Sequence, residues 1–210
     1  MAETIYIVDD DASFARGLAR VVTAAGWKAE LFSSADDFLS PGRVRAGEPG
    51  CVLLDVRMPG MRGPELQRVM IERGIHLPVI FLTGFGDVGT SVDAMKRGAI
   101  DFLEKPVRAE ELAAAIRVAL ERDRTGRARE SELRDIAARI ARLSPREREV
   151  MGHVVAGRLN KQIAADLSIS LKTVKAHRAK VMEKMDVRSV PALVDLCRAA
   201  GEAGSVTPRG

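Results

Sequence analysis

Five polar side chains carry the chemistry this sequence offers most plainly: Asp9 and Asp10 in IVDDD, Asp55 in LLDV, Thr83 in FLTG and Lys105 in LEKP. Each closes a short apolar run of the kind that forms a buried strand. Carboxylates that converge repel one another, which raises their pKa values and destabilises the fold unless a cation answers them. Oxygen donors alone favour Mg²⁺, a hard ion that takes few protein carboxylates, keeps waters and accepts phosphate oxygens. An aspartate facing such an ion and a lysine is set up as a nucleophile toward a phosphoryl group, because the cations offset charge on the incoming oxygens. Any one of these acids alone could be a solvated side chain or a loop-end cap, and Asp11 is read as the cap of a helix beginning near Ala12. Five such groups at matching strand ends fit a pocket better.

The elements that must hold them alternate in type. Strand-like runs TIYIVDD, KAELF, GCVLLDV, PVIFLTG and AIDFLEKP are separated by helical patterns over Ala12 to Ala25, Ala35 to Leu39, Gly63 to Arg73 and Val88 to Arg97, with a long helix from Ala109. Alternation of this kind implies right-handed βαβ units: an α/β doubly wound domain with a parallel sheet and helices on both faces. In such sheets chemistry lies outside the carboxyl ends of the strands, where the five groups fall.

At 210 residues, 46% hydrophobic and 30% charged, the chain has the composition of two modest globular domains, which excludes wholesale disorder and collagen-like structure. No apolar run approaches the ~18 residues of a membrane helix, and MAETIYIVDDD has acids where a secretory signal needs a basic patch and an apolar stretch, so a cytoplasmic protein is expected. Cys51 and Cys197 stand too far apart in sequence to suggest a disulfide framework or a metal motif and are read as structural. Charge divides unevenly: residues 1–122 hold 15 basic against 18 acidic side chains, a net −3, while residues 123–210 hold 18 against 11, a net +7. The basic half points to an anionic polymer, although a basic surface can also be merely solvated.

Ala109 to Ala141 reads as a nearly continuous helix whose charged middle, ERDRTGRARESE, contains Gly126, the expected place for a bend or fray; a floppy charged linker is the alternative. Four short helices follow, over Pro145 to Ala156, Lys161 to Leu167, Leu171 to Met185 and Val190 to Ala199, with a disordered tail expected from Gly201. Ser144, Pro145 and Glu147 form a capping box with proline at the first helical position, and Ser170 precedes the third of these helices. KQIAADLSISLKTVKAHRAKVMEKM is a helix-turn-helix pattern in which Ile163, Leu167, Val174 and Val181 make the core and Ala164 permits close approach. On its second helix Lys172, Lys175, His177 and Arg178 are expected to point away from that core, toward a major groove.

IVDDD, LLDVRMPGMRG, FLTG and FLEKP together resemble the receiver domain of two-component response regulators, over residues 1–122. The resemblance implies a flavodoxin-like, five-stranded sheet with Asp55 as phosphoacceptor and Mg²⁺ held by Asp10, Asp55 and the backbone carbonyl of Arg57, with Asp9 acting through water. It further implies that Thr83 and Lys105 contact the phosphate, that Phe102 is the switching aromatic, that Gly84 leaves room and that the peptide before Pro106 is cis. Arg57 and Phe85 fall at positions that vary in the family and tune dephosphorylation. Residues 143 to about 200 resemble the LuxR-type helix-turn-helix domain, within a DNA-binding domain expected over 143–207 and joined by 123–142 as a largely helical linker, and the whole chain resembles the FixJ-like branch of the NarL/FixJ class. Met151 and Met185 replace usual leucines there, and Ser168 stands where glycine is common.

The resemblance implies a transcription regulator rather than an enzyme: it takes a phosphoryl group from a partner histidine kinase, forms a homodimer and binds promoter DNA, with Lys161, Lys172, Thr173, Lys175, His177, Arg178 and Arg188 as DNA contacts. Two rivals remain. A phosphorylation-independent regulator would use the receiver only as a dimerisation scaffold. A Mg²⁺-dependent phosphatase of the haloacid-dehalogenase type would need an acid two residues after its nucleophile, where this chain has Arg57.

Overall fold

The computed structural model describes residues 3–44, 48–84 and 98–204; the helix expected over Val88 to Arg97, and Phe85, lie outside the described residues. The chain divides into two compact units, Met1–Gly126 and Arg127–Gly210. In the first, strands β1 (Thr4–Val8), β2 (Lys28–Phe32), β3 (Gly50–Asp55), β4 (Val79–Thr83) and β5 (Asp101–Glu104) form one sheet in the order β2-β1-β3-β4-β5. Every pairing is parallel. Successive side chains of β1 alternate between the sheet's two faces: Ile5 and Ile7 join one core, Tyr6 and Val8 the other. Both faces are covered by helices, so β1, β3 and most of β4 are buried throughout. Helix α1 (Ala12–Ala24) supplies Ala15, Leu18 and Val22 to the first core. Helices α2 (Ala35–Leu39) and α3 (Gly63–Glu72) cover the second core with Phe38, Leu66 and Met70.

Helix α4 (Ala109–Ala141) buries Leu112, Ile116 and Leu120 against the first core. No fray occurs at Gly126: the residues on both sides of it belong to one helix. One glycine costs about 1 kcal/mol in a helix interior, and the surrounding charges pair along the helix, Arg124 with Glu121 at 3.0 Å and Arg134 with Glu130 at 3.1 Å. No helix among the described residues is long and apolar enough to cross a membrane.

The second unit contains α5 (Pro145–Val155), α6 (Asn160–Asp166), α7 (Leu171–Lys184) and α8 (Val190–Gly204) around a core that includes Leu143, Val150, Ile163, Val174, Val181 and Leu193. The capping box at Ser144 and Glu147 is present, and Ser170 caps α7 through the Thr173 N–H. Ser168 sits at φ 53°, closing α6 with Ile169 N–H donating to Ala164 O. Serine thus occupies a left-handed position, at a strain of up to about 1 kcal/mol relative to glycine. Of the tail expected to be disordered from Gly201, residues 201–204 instead continue α8, and residues 205–210 lie outside the described residues. Alanines at 199 and 200 favour the helix up to Gly201.

Candidate functional site

Register brings the polar groups together. Asp55, the last residue of β3, pairs with Leu82, and Thr83 pairs with Glu104, so the strand ends form one rim. Two backbone bonds extend the ladder past the strands: Asp9 N–H donates to Phe32 O at 3.1 Å, and Lys105 N–H to Thr83 O at 2.8 Å. Lys105 therefore reaches back across the rim from beyond β5. Its Nζ donates to Asp9 Oδ2 at 2.7 Å and pairs with Asp55 Oδ1 at 2.6 Å. The Lys105–Pro106 peptide is cis, as the family resemblance implied.

Asp9 and Asp55 are buried, whereas Asp10 is exposed. Burial pushes the Asp55 carboxyl above its ordinary pKa, against the opposing pull of the Lys105 ammonium and the Arg57 N–H, which donates to Asp55 Oδ2 at 2.9 Å. Burial alone would lower the Lys105 pKa, yet the hydrogen bonds to Asp55 and Asp9 lift it. One ammonium thus serves two carboxylates, leaving the trio net negative. Among the described residues no three acidic, histidine or cysteine side chains form a cluster able to hold a metal by themselves. The donor set, hard carboxylate oxygens, fits an ion that takes one or two carboxylates and keeps its waters.

Asp11 is the N-cap of α1, as the sequence indicated: its Oδ1 accepts from Ser13 N–H at 2.8 Å and Phe14 N–H at 3.0 Å. Those bonds hold its carboxyl below the ordinary range. Thr83 is half-buried and donates to Gly84 O at 3.1 Å. Arg57 is exposed, and its guanidinium lies across the rim: a Cβ on Gly84 would come 3.2 Å from Arg57 Nη2. Phe102 is stacked on Phe81, ring centroids 4.9 Å apart.

Three positioning features were not singled out in the sequence. Gly63 lets α3 start against the end of β3, since a Cβ there would lie 2.3 Å from Asp55 O. The Phe14 ring lies over Lys105 Nζ. Asp123, read as linker, is buried. A glycine before proline at a helix start was a signal for the first; the others depend on contacts distant in sequence.

In the second unit Lys161, Lys172, Lys175 and Arg188 are exposed. Thr173 Oγ1 is 2.8 Å from Ser170 Oγ within the α7 cap. His177 and Arg178 are less outward than expected: both are half-buried, His177 Nδ1 is buried with no hydrogen-bond partner among the described residues, and Arg178 donates to Asn160 Oδ1 at 2.6 Å. Helical geometry explains this, because positions 177 and 178 are three and four residues from both Val174 and Val181 and so share their face.

A doubly wound sheet with an acidic, lysine-bridged rim and a separate helix-turn-helix unit defines a signal-receiving, DNA-binding protein. Family models agree: the response regulator receiver domain matches residues 5–117, and the bacterial regulatory proteins of the luxR family match residues 141–197. The chain belongs to the two-component response regulators, in the FixJ-like branch of the NarL/FixJ class. It is 44% identical over 199 residues to the transcriptional regulatory protein FixJ of Bradyrhizobium diazoefficiens, covering 94% of this chain and 95% of that protein. It is 45% identical over 196 residues to the response regulator protein TodT of Pseudomonas putida, covering 92% and 84%. Among solved structures it is similar to the response regulator StyR, with TM-score 0.83 and 38% identity, covering 94% of this chain and 99% of that one. Full-length FixJ from B. japonicum gives 0.57 and 43%, covering 95% and 98%.

Proposed function

We propose that this regulator accepts a phosphoryl group on Asp55 from a partner histidine kinase in the cytoplasm, dimerises, and binds promoter DNA through α7. The observation that carries this reading is the Lys105 ammonium at 2.6 Å from Asp55 and 2.7 Å from Asp9, on a rim that still has excess negative charge. An Asp55 carboxylate oxygen attacks phosphorus of the kinase's phosphohistidine. The new O–P bond replaces the P–N bond, whose electron pair returns to the imidazole. Asp10, Asp55 and the Arg57 carbonyl would hold Mg²⁺, with Asp9 through water; when bound, the ion supplies positive charge to the phosphoryl oxygens. Lys105 then pairs with the phosphoryl group and the Thr83 hydroxyl donates to it. The pull on both strand ends repacks Phe102, now stacked on Phe81, and changes the face through which two receivers meet.

The exposed Lys172 and Lys175 lie in the first half of α7, the part of such a helix that enters a major groove. Exposed Lys161 and Arg188 serve as phosphate contacts, Thr173 secures the start of α7, and half-buried His177 and Arg178 act at the edge of the surface. The test is promoter binding by the chain treated with acetyl phosphate and Mg²⁺, beside an Asp55→Asn variant treated alike. Tighter binding by the treated wild type alone is expected. Equal binding by both would favour the scaffold alternative.

A further inference from the structure

Phe14 stands on the first turn of α1, and its ring is the one aromatic face recorded against a cation of the acidic rim among the described residues. Lys105 Nζ lies over it, 4.3 Å from the ring centroid. Two of the ammonium's N–H bonds are taken by Asp9 and Asp55. The Phe14 ring presents a π-face to the same ammonium, a partner that suits a cation. The backbone that carries the ring is itself held. Phe14 N–H donates to Asp11 Oδ1 at 3.0 Å, and Asp11 N–H donates to Asp9 Oδ1 at 2.9 Å, so one short segment fixes both the backbone at Phe14 and a carboxylate that shares the ammonium. Phe14 also packs at the edge of the core to which Leu18 and Val22 contribute, at four-residue steps along α1. Packing alone would be served by leucine; the π-face would not.

We propose that Phe14 is a positioning residue for phosphoryl acceptance: its ring holds the Lys105 ammonium in the pocket against Asp9 and Asp55, so that positive charge is in place before the phosphoryl donor arrives. This rests on Asp55 being the acceptor. A long, mobile lysine side chain otherwise exchanges between the rim and water, with 24% of its surface already exposed. Holding it in place removes an ordering step from each encounter with donor.

The test uses the full chain with Phe14→Leu, which keeps an apolar side chain, and Phe14→Tyr, which keeps the ring. Without metal or donor, proton NMR should find the Lys105 ε-methylene shifted upfield by the ring current in wild type and Phe14→Tyr, and at its ordinary position in Phe14→Leu. With Mg²⁺ and acetyl phosphate, Phe14→Leu should be labelled about five-fold more slowly, equivalent to about 1 kcal/mol. Phe14→Tyr should keep the wild-type rate. In a Lys105→Ala background Phe14→Leu should change nothing further, because the ring acts through the ammonium. An unshifted methylene in wild type, an unchanged rate in Phe14→Leu, or an equal slowing in the Lys105→Ala background would each overturn the role of Phe14 while leaving the acceptor in place. Failure of the wild type to take any label would overturn the acceptor reading and this inference with it.

Discussion

The Gly50 N–H donates to Asp123 Oδ2 at 3.1 Å, joining the first residue of the strand that ends in Asp55 to the helix Ala109–Ala141. Beside it Arg124 pairs with Glu3 at 2.7 Å. These contacts explain why the first compact unit extends to Gly126. Gly50 has no alternative here, since a Cβ would lie 2.1 Å from Thr4 O.

Asp123→Ala leaves the buried Gly50 N–H without this acceptor, and such a loss costs about 1–3 kcal/mol. Urea unfolding followed by a probe in the first unit should show its midpoint lowered accordingly. Asp123→Asn, which keeps a carbonyl oxygen, should lose less. A midpoint untouched in both variants would mean that the bond contributes nothing.

Glu147 supplies a pH-dependent stability in the second unit. The Lys184 ammonium, donating to Glu147 Oε2 at 2.6 Å, and the Ser144 N–H at 2.8 Å hold its carboxyl at about 2, below its ordinary 4.5. A depressed folded pKa means stability that is fully present above about pH 4.5 and lost as pH falls toward about 2. In thermal melts across that window wild type should lose stability more steeply than Glu147→Gln. Parallel curves would contradict the assignment.

Lys105→Ala should weaken the response to phosphorylation more than labelling itself, because the ammonium both prepares the acceptor and pulls the loop toward the phosphate. Sedimentation with and without acetyl phosphate should find the labelled variant monomeric where labelled wild type dimerises. Equal dimerisation would show that Lys105 does not transmit the switch.

DNA affinity should fall steeply with salt, each phosphate contact adding about 0.9 to the log–log slope. Lys161, Lys172 and Arg188, all exposed, are the side chains expected to carry it. Arg178, already engaged with Asn160, should contribute less. Lys175→Ala should instead relax sequence preference, by about 1–3 kcal/mol if it meets a guanine edge. Equal loss on specific and random DNA would reduce Lys175 to a backbone contact.

The strands and most helix limits were legible because burial on both faces of a parallel sheet writes continuous apolar runs, and caps such as Ser144 and Ser170 mark helix starts. The pocket was legible because its groups close those runs. Less visible was anything set by a partner far along the chain. Asp123 lies in a charged stretch that looks solvated, and only the approach of Gly50, 73 residues away, makes it a buried acceptor. His177 and Arg178 were expected outward from their polarity, whereas the helical face they share with Val174 and Val181 turns them partly in. Gly126 looked like a break because glycine is costly in an isolated helix, a preference outweighed by pairing and anchoring along α4.

Phosphoryl acceptance depends on Asp55 being the nucleophile. Intact-protein mass spectrometry after acetyl phosphate and Mg²⁺ tests it most directly, on wild type and on Asp55→Asn, in which an amide replaces the nucleophilic carboxylate at the same size. One phosphoryl group adds about 80 Da, and only the wild type should gain it. The same gain in Asp55→Asn would place the acceptor on another residue and rule out Asp55 as the nucleophile.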